Sequence, residues 1–369
     1  MIWIWAGFIL FVLLMLALDL GVFHRKAHVV SVREALGWSA VWVSLGLAFG
    51  VFVYFGYQHH WMGLGLAVDA VDGQVNDGAS AAVKYLTGYV IEKSLSVDNV
   101  FVIAMIFGFM AVPRIYQHRV LFWGILGALV MRGVMIAVGA ELIARYHWIL
   151  YVFGGFLLVT AVKMLVIREH SDPAQNLVVR LTKKLLPITD NFHGEHFFVR
   201  AGSAHSRKAA APGVATRPDA AVERAVPGTL MLTPLALALI LVETTDLIFA
   251  VDSIPAIFAI TADPFLVFTS NVFAILGLRS LYFALADIID RFRFLKVSLA
   301  MVLAIVGLKM LLAEPLKAAL GPAFNLYLLL VVLVVLAFGV MASLWTGPAI
   351  EGEESVEKDT RRTEEPPAA

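Results

Sequence analysis

Two acidic segments lie inside stretches apolar enough to cross a membrane, and they match each other. Glu92-Lys93-Ser94-Leu95-Ser96-Val97-Asp98-Asn99 and Asp246-Leu247-Ile248-Phe249-Ala250-Val251-Asp252-Ser253 each read acid, five residues, aspartate, then a side chain with a neutral oxygen. A carboxylate at the centre of a lipid-embedded helix costs about 3 kcal/mol even on a lenient insertion scale, so a group of them implies a task. Carboxylates, an amide and hydroxyls together are the ligand set of a hard cation. The candidate metal-ligating residues are therefore Glu92, Asp98, Asn99, Glu243, Asp246, Asp252 and Ser253, with Asp19 near the inner end of the first span as a weaker addition.

Arg132 and Arg279 are the mid-span basic residues that could balance those acids, whereas Lys163 and Lys309 sit close enough to span ends to snorkel. Two arginines cannot neutralise Glu92, Asp98, Glu243, Asp246 and Asp252. Either some acids are protonated or a divalent cation completes the balance. The competing reading, acids paired with arginines only to fix the bundle, leaves acid in surplus, and buried pairs are costly. Oxygen is the only ligand type in these segments, which suits Mn²⁺, Mg²⁺ or Ca²⁺ and disfavours Cu⁺ and Zn²⁺.

The elements that must hold these residues are apolar. Of 369 residues 60% are hydrophobic and 15% charged, with a mean hydropathy of +0.84, against roughly 25% charged in a soluble domain. The absence of net charge points to no nucleic-acid partner. With no cysteine, disulfides, iron–sulfur clusters and thiolate metal sites are excluded. No phosphate-binding glycine loop, nucleophile elbow or nucleotide-binding domain is present, so we expect neither an enzyme nor a bound cofactor.

Runs of about 20 apolar residues predict nine spans, near 3–23, 37–57, 83–110, 120–140, 148–167, 229–254, 265–286, 297–313 and 324–345. No basic residue precedes the first span and His24-Arg25-Lys26 follows it, the pattern of an uncleaved span with its N-terminus outside. Lys and Arg concentrate in the odd-numbered loops, and the second loop carries Asp69, Asp72 and Asp77. The sequence therefore predicts a multi-pass protein of the cytoplasmic membrane, N-terminus out and C-terminus in.

The acidic match is part of a longer one. Glu92 and Asp246, Arg132 and Arg279, and Lys163 and Lys309 are offset by 154, 147 and 146 residues, and Ile125-Leu126-Gly127 matches Ile275-Leu276-Gly277. Duplication of a three-helix unit explains this, and an odd number of spans per unit forces the copies into opposite orientations. The expected organisation is spans one and two with their outer loop (1–82), repeat 1 (83–167), a cytoplasmic loop (168–228), repeat 2 (229–313), span nine (314–350) and a disordered tail (351–369). The fold class is all-α, a polytopic membrane bundle with inverted repeats.

The two acidic segments, together with Phe192-His193-Gly194-Glu195-His196-Phe197-Phe198-Val199-Arg200 and Ile275-Leu276-Gly277-Leu278-Arg279-Ser280-Leu281-Tyr282-Phe283, closely resemble the TerC/Alx family of integral membrane proteins. The resemblance runs from about Asp19 to Trp345. It implies a manganese exporter related to the LysE exporter superfamily, and the choice of manganese rests on it. The chain departs from the family in an Ala-, Pro- and Arg-rich insertion after Arg200 that runs to Gly228.

On an unbroken helix residues six apart diverge by about 120°, so Glu92 and Asp98 would not share a face. Pro255 frees the carbonyl of Val251, and the sixth span is expected to break near Asp252, the third near Ser94–Ser96. His193, Glu195 and His196 form a weaker metal candidate, read as a solvated loop for want of a fourth ligand. Residues 201–228 read as a flexible linker. The expected function is export of a divalent cation, Mn²⁺ as transported substrate, by alternating access with proton coupling. A membrane-embedded scaffold or insertion aid, and an amino-acid exporter, remain open alternatives.

Overall fold

Backbone that cannot reach water must satisfy its own hydrogen bonds, and an apolar chain does so as helix. The computed structural model describes residues 2–21, 31–166, 181–182, 184, 187–202, 219–285, 294–321 and 324–346. In chain order these form α1 (Ile2–Gly21), α2 (Val32–Gln58), a short 3-10 turn (Trp61–Gly63), α3 (Gly78–Phe109), α4 (Arg114–Arg145), α5 (Ile149–Val166), β1 (Phe198–Arg200), α6 (Ala220–Arg224), β2 (Leu230–Leu232), α7 (Pro234–Phe258), α8 (Pro264–Leu276), α9 (Leu278–Leu285), α10 (Leu295–Leu311), α11 (Ala313–Leu320) and α12 (Phe324–Thr346). The protein is an all-α polytopic bundle.

Among the described residues six helical stretches are long and apolar enough to cross a membrane: α2, α4, α5, α7, the α8–α9 pair and α12. A shorter apolar stretch, Ile2–Leu18, lies in α1. The count differs from nine for local reasons. α3 is 32 residues long but carries Lys84, Glu92, Lys93 and Asp98, and α10 is 17 residues long.

Helix starts follow the sequence. Ser31, Asp77, Thr233 and Asp263 each accept a hydrogen bond from the first turn of the helix they precede, and Pro234 and Pro264 occupy the first position of α7 and α8. The breaks do not follow it. α7 runs through Pro255 to Phe258 and α3 through Ser94–Ser96, so neither expected discontinuity is present. Pro255 removes one donor in a last turn that the helix tolerates, and Ser94 and Ser96 donate back to the carbonyls of Val90 (2.7 Å) and Glu92 (2.8 Å) without opening the helix.

The break falls instead at Gly277, between α8 and α9. A Cβ there would lie 2.8 Å from Lys93 Nζ and 3.1 Å from Trp42 Cβ. Lys93 Nζ donates to the carbonyl of Ala274 (3.1 Å), in the last turn of α8. Lys309 behaves similarly: it is buried, its ammonium donates to the carbonyl of Ala259 at the end of α7 and stands 5.2 Å from the Phe324 ring, so it does not snorkel. Both lysines meet the negative end of a helix.

α3 lies at the centre of the bundle, packed against α2, α7, α8 and α12; α4 packs on α7, and α5 runs along α10. At one end the loop before α3 meets the α7–α8 turn. Asp69, buried, accepts from Lys84 Nζ (2.8 Å), Thr261 Oγ1 and the Ala262 N–H (2.9 Å). Lys84 also reaches Asp72 (2.6 Å) and Asn76, and Tyr57 donates to Asp263 (2.8 Å). Burial pushes the Asp69 carboxyl up, but the Lys84 ammonium and the donors from Thr261 and Ala262 outweigh it and hold the group below its ordinary value.

The described residues on either side of 203–218 are held together by hydrogen bonds. β1 and β2 pair antiparallel, Phe198 opposite Leu232 and Arg200 opposite Leu230. Asp219 caps α6, accepts from the backbone N–H groups of Asp190 (3.2 Å) and Asn191 (3.0 Å), and lies 3.0 Å from His193 Nε2. Residues 203–218 and the tail 351–369 lie outside the described residues.

Candidate cation site

Arg132, on α4 and 1% exposed, joins the two halves of the sequence match. Its Nε donates to Asp246 Oδ2 (3.1 Å) and its Nη2 to Asp246 Oδ1 (2.9 Å), the two-pronged geometry that only a guanidinium offers. Its Nη1 donates to Glu92 Oε1 and, at 3.3 Å, to Ser253 Oγ. One cation thus holds the first acid of each segment, Glu92 from α3 and Asp246 from α7. Asn99 adds a fifth contact, its Nδ2 donating to Asp246 Oδ1 (3.0 Å).

Beside this cluster is a cavity of about 40 Å³, lined by Glu92, Asp98 and Asn99 from α3, Arg132 from α4, Thr160 and Met164 from α5, Asp252 and Ser253 from α7, and apolar groups that include Leu303 of α10. A water needs roughly 10–15 Å³ by this measure, so the cavity has room for an ion and part of its hydration shell. The unbroken α3 presents both acids to it because the cavity faces the whole arc between them. Asp252 Oδ1 accepts from Thr160 Oγ1 (3.1 Å).

Two oxygens on the cavity wall are buried without a hydrogen-bond partner among the described residues: Glu92 Oε2 and Asn99 Oδ1. Both are acceptors, and a buried acceptor left unmade costs about 1–3 kcal/mol. Glu92, Asp98, Asp246 and Asp252 gather around Arg132, and Lys296 also acts on Asp98. The cavity and its neighbours therefore offer lone pairs and negative charge, the complement of a cation. In this arrangement no three His, Asp or Glu side chains among the described residues converge closely enough to hold a metal.

The remaining candidates lie apart. Glu243, one turn before Asp246, turns toward α4, where a Cβ on Gly127 would overlap its carboxylate; its Oε2 is buried without a hydrogen-bond partner among the described residues. Arg279 lies beyond the break at Gly277, and its Nη1 meets His118 Nε2 (3.1 Å) away from the cavity. Asp19 is in the last turn of α1, and its side chain lies outside the described residues. The histidine candidate is divided: His193 pairs with Asp219, and Glu195 with Arg119 (2.9 Å). Thr160 and Met164, which sequence reasoning missed, gave little signal, because a threonine and a methionine in an apolar span are ordinary packing residues.

The fold and this site define a polytopic membrane protein with a charged cavity between its helices. Residues 77–349 match the integral membrane protein TerC family. The chain belongs to that family. It is 49% identical over 315 residues to a membrane protein of Myxococcus xanthus, STKORF319, covering 85% of each chain. It is 44% identical over 324 residues to a Photorhabdus laumondii protein provisionally named a membrane-bound redox modulator, Alx (86% of this chain, 90% of that one). The Escherichia coli K12 protein of the same name is 44% identical over 329 residues, covering 88% and 91%. No solved structure matches the chain.

Proposed function

We propose that this protein is a secondary transporter that exports Mn²⁺ across the cytoplasmic membrane by alternating access, coupled to protons. The observation that carries the reading is the pair of buried, unpartnered acceptors, Glu92 Oε2 and Asn99 Oδ1, on the wall of a cavity that Asp98 and Asp252 also line. Arg132 holds Glu92 and Asp246 together, and a divalent ion in the cavity would compete with it for the same oxygens. Glu92, Asp98, Asn99 and Asp252 are the first ligands on this reading, with Ser253 beside them, and they close on the ion through a change of conformation that also brings in Glu243 and Asp246, since among the described residues no three acids converge in this arrangement.

Nine spans with an inverted three-helix repeat fit the packing, because contacts between the halves are reciprocal: α3 against α8 as α7 against α4, with α5 along α10. Contact between the Asp69 loop and the Thr261–Asp263 turn agrees with an orientation that puts both outside. A redox role like that named for its relatives would not use thiol chemistry of its own, for the chain has no cysteine.

The test is Mn²⁺ flux in proteoliposomes. Asp98→Asn and Asp252→Asn should each abolish it at normal protein level, and Glu92→Gln should weaken Mn²⁺ binding by calorimetry some 10- to 100-fold. Full transport by either aspartate variant would remove the paired-aspartate site, and no flux in the wild-type protein would favour the scaffold reading.

A further inference from the structure

Oxygen ligands alone do not choose among Mn²⁺, Mg²⁺ and Ca²⁺, and a site built only of carboxylates, an amide and hydroxyls would fill with Mg²⁺, the more abundant ion in cells. The wall that α5 supplies bears on this choice. Thr160 and Met164 are four residues apart, hence on one face of α5, and the hydrogen bond from Thr160 Oγ1 to Asp252 Oδ1 (3.1 Å) fixes that face toward the acids. Both residues line the cavity, and Met164 is the one sulfur-bearing residue among those that do. The opposite wall, from α10, is Leu303. Val306 and Met310, at the repeat offset of 146 from Thr160 and Met164, are packed in an apolar cluster against which Met164 also rests, and of the two pairs only that of α5 lines the cavity. α5 therefore breaks the match between the halves where the cavity needs a wall.

We propose that Met164 determines ion specificity: its thioether selects a first-row transition cation over Mg²⁺ and Ca²⁺ in the cavity formed by Glu92, Asp98, Asn99 and Asp252. This rests on the cation-site reading above. A thioether is a soft, weak donor. Mg²⁺ and Ca²⁺ are hard ions that take oxygen, and filling one coordination position with sulfur costs them an oxygen ligand. Mn²⁺ keeps oxygen as its main ligand yet accepts a sulfur, so the mixed set favours it. Thr160 is a positioning residue, orienting Asp252 through the hydrogen bond to its Oδ1.

Met164→Leu keeps apolar volume and removes only the sulfur. In purified full-length protein, Mn²⁺ affinity should fall about tenfold while Mg²⁺ affinity holds, so the preference for Mn²⁺ in a competition titration falls about tenfold. Cd²⁺ is the direct probe: its NMR resonance in the wild-type protein should lie downfield of that in Met164→Leu, as loss of a sulfur ligand requires. An unchanged Mn²⁺/Mg²⁺ ratio, or an equal weakening of both ions, would make Met164 a packing residue and overturn the proposal. If the wild-type protein binds no Mn²⁺, the cation site itself fails, a result distinct from any obtained with the variant.

Discussion

Arg132 makes its hydrogen bonds to two carboxylates and a hydroxyl that come from different helices, so removing it does more than delete one charge. Arg132→Met would leave Glu92 and Asp246 buried without their cation, and breaking a buried pair from one side costs about 3–5 kcal/mol. Thermal unfolding in detergent should show that loss. Adding Glu92→Gln and Asp246→Asn should recover most of it, because neutral amides need no counter-charge. A single variant as stable as the parent would mean that the carboxylates are not ionised here. At this scale much was legible: an arginine in mid-span beside surplus acid announces a partner, and Arg132 has one from each segment. Arg279 looked equivalent in sequence and is not, since the break at Gly277 carries it to His118.

Elements are read less well than residues, for a physical reason. A proline costs one donor wherever it stands, but whether the helix breaks depends on what packs around it, and α7 absorbs Pro255 in its last turn. The break falls at Gly277, where Lys93 and Trp42 from α3 and α2 leave little room for a side chain, a contact that no local pattern reports. Asp219 makes the same point: from within the insertion it caps α6, accepts from Asp190 and Asn191 and meets His193. Burial raises its carboxyl, but the N–H groups of Asn191, Asp190 and Val222, and His193, outweigh that and hold it below the ordinary carboxylate value. A depressed folded value stabilises the cap at pH above the unfolded value, about 4, and the contribution is lost as pH falls through the folded one. Hydrogen-exchange protection of the Asp190 and Asn191 amides should therefore collapse in acid. In Asp219→Asn it should be weak at every pH; full protection in that variant would discount the carboxylate.

For the whole molecule, apolar run length fixed where helices form but not how many meet a strict criterion of crossing, because α3 spends its length on Lys84, Glu92, Lys93 and Asp98. Orientation is the larger question, and the chain is convenient for it. Having no native cysteine, it can carry a single introduced thiol as its only reactive one. Cysteines at Asp72 and Asp263 should react with a membrane-impermeant reagent from outside, and cysteines at Ala210 and Ala368 only after permeabilisation. Reaction of Asp72 and Ala210 from the same side would refute an inverted repeat.

The junction of Lys84 with Asp69, Asp72 and Asn76, sealed against Thr261 and Ala262, has a kinetic meaning. It ties the loop before α3 to the turn between α7 and α8, so any opening of the bundle at that end must first part a buried ammonium from its carboxylates. On the transport proposed above, parting Lys84 from Asp69 and Asp72 is a step common to every cargo, and preference is exerted by how often the cavity is occupied.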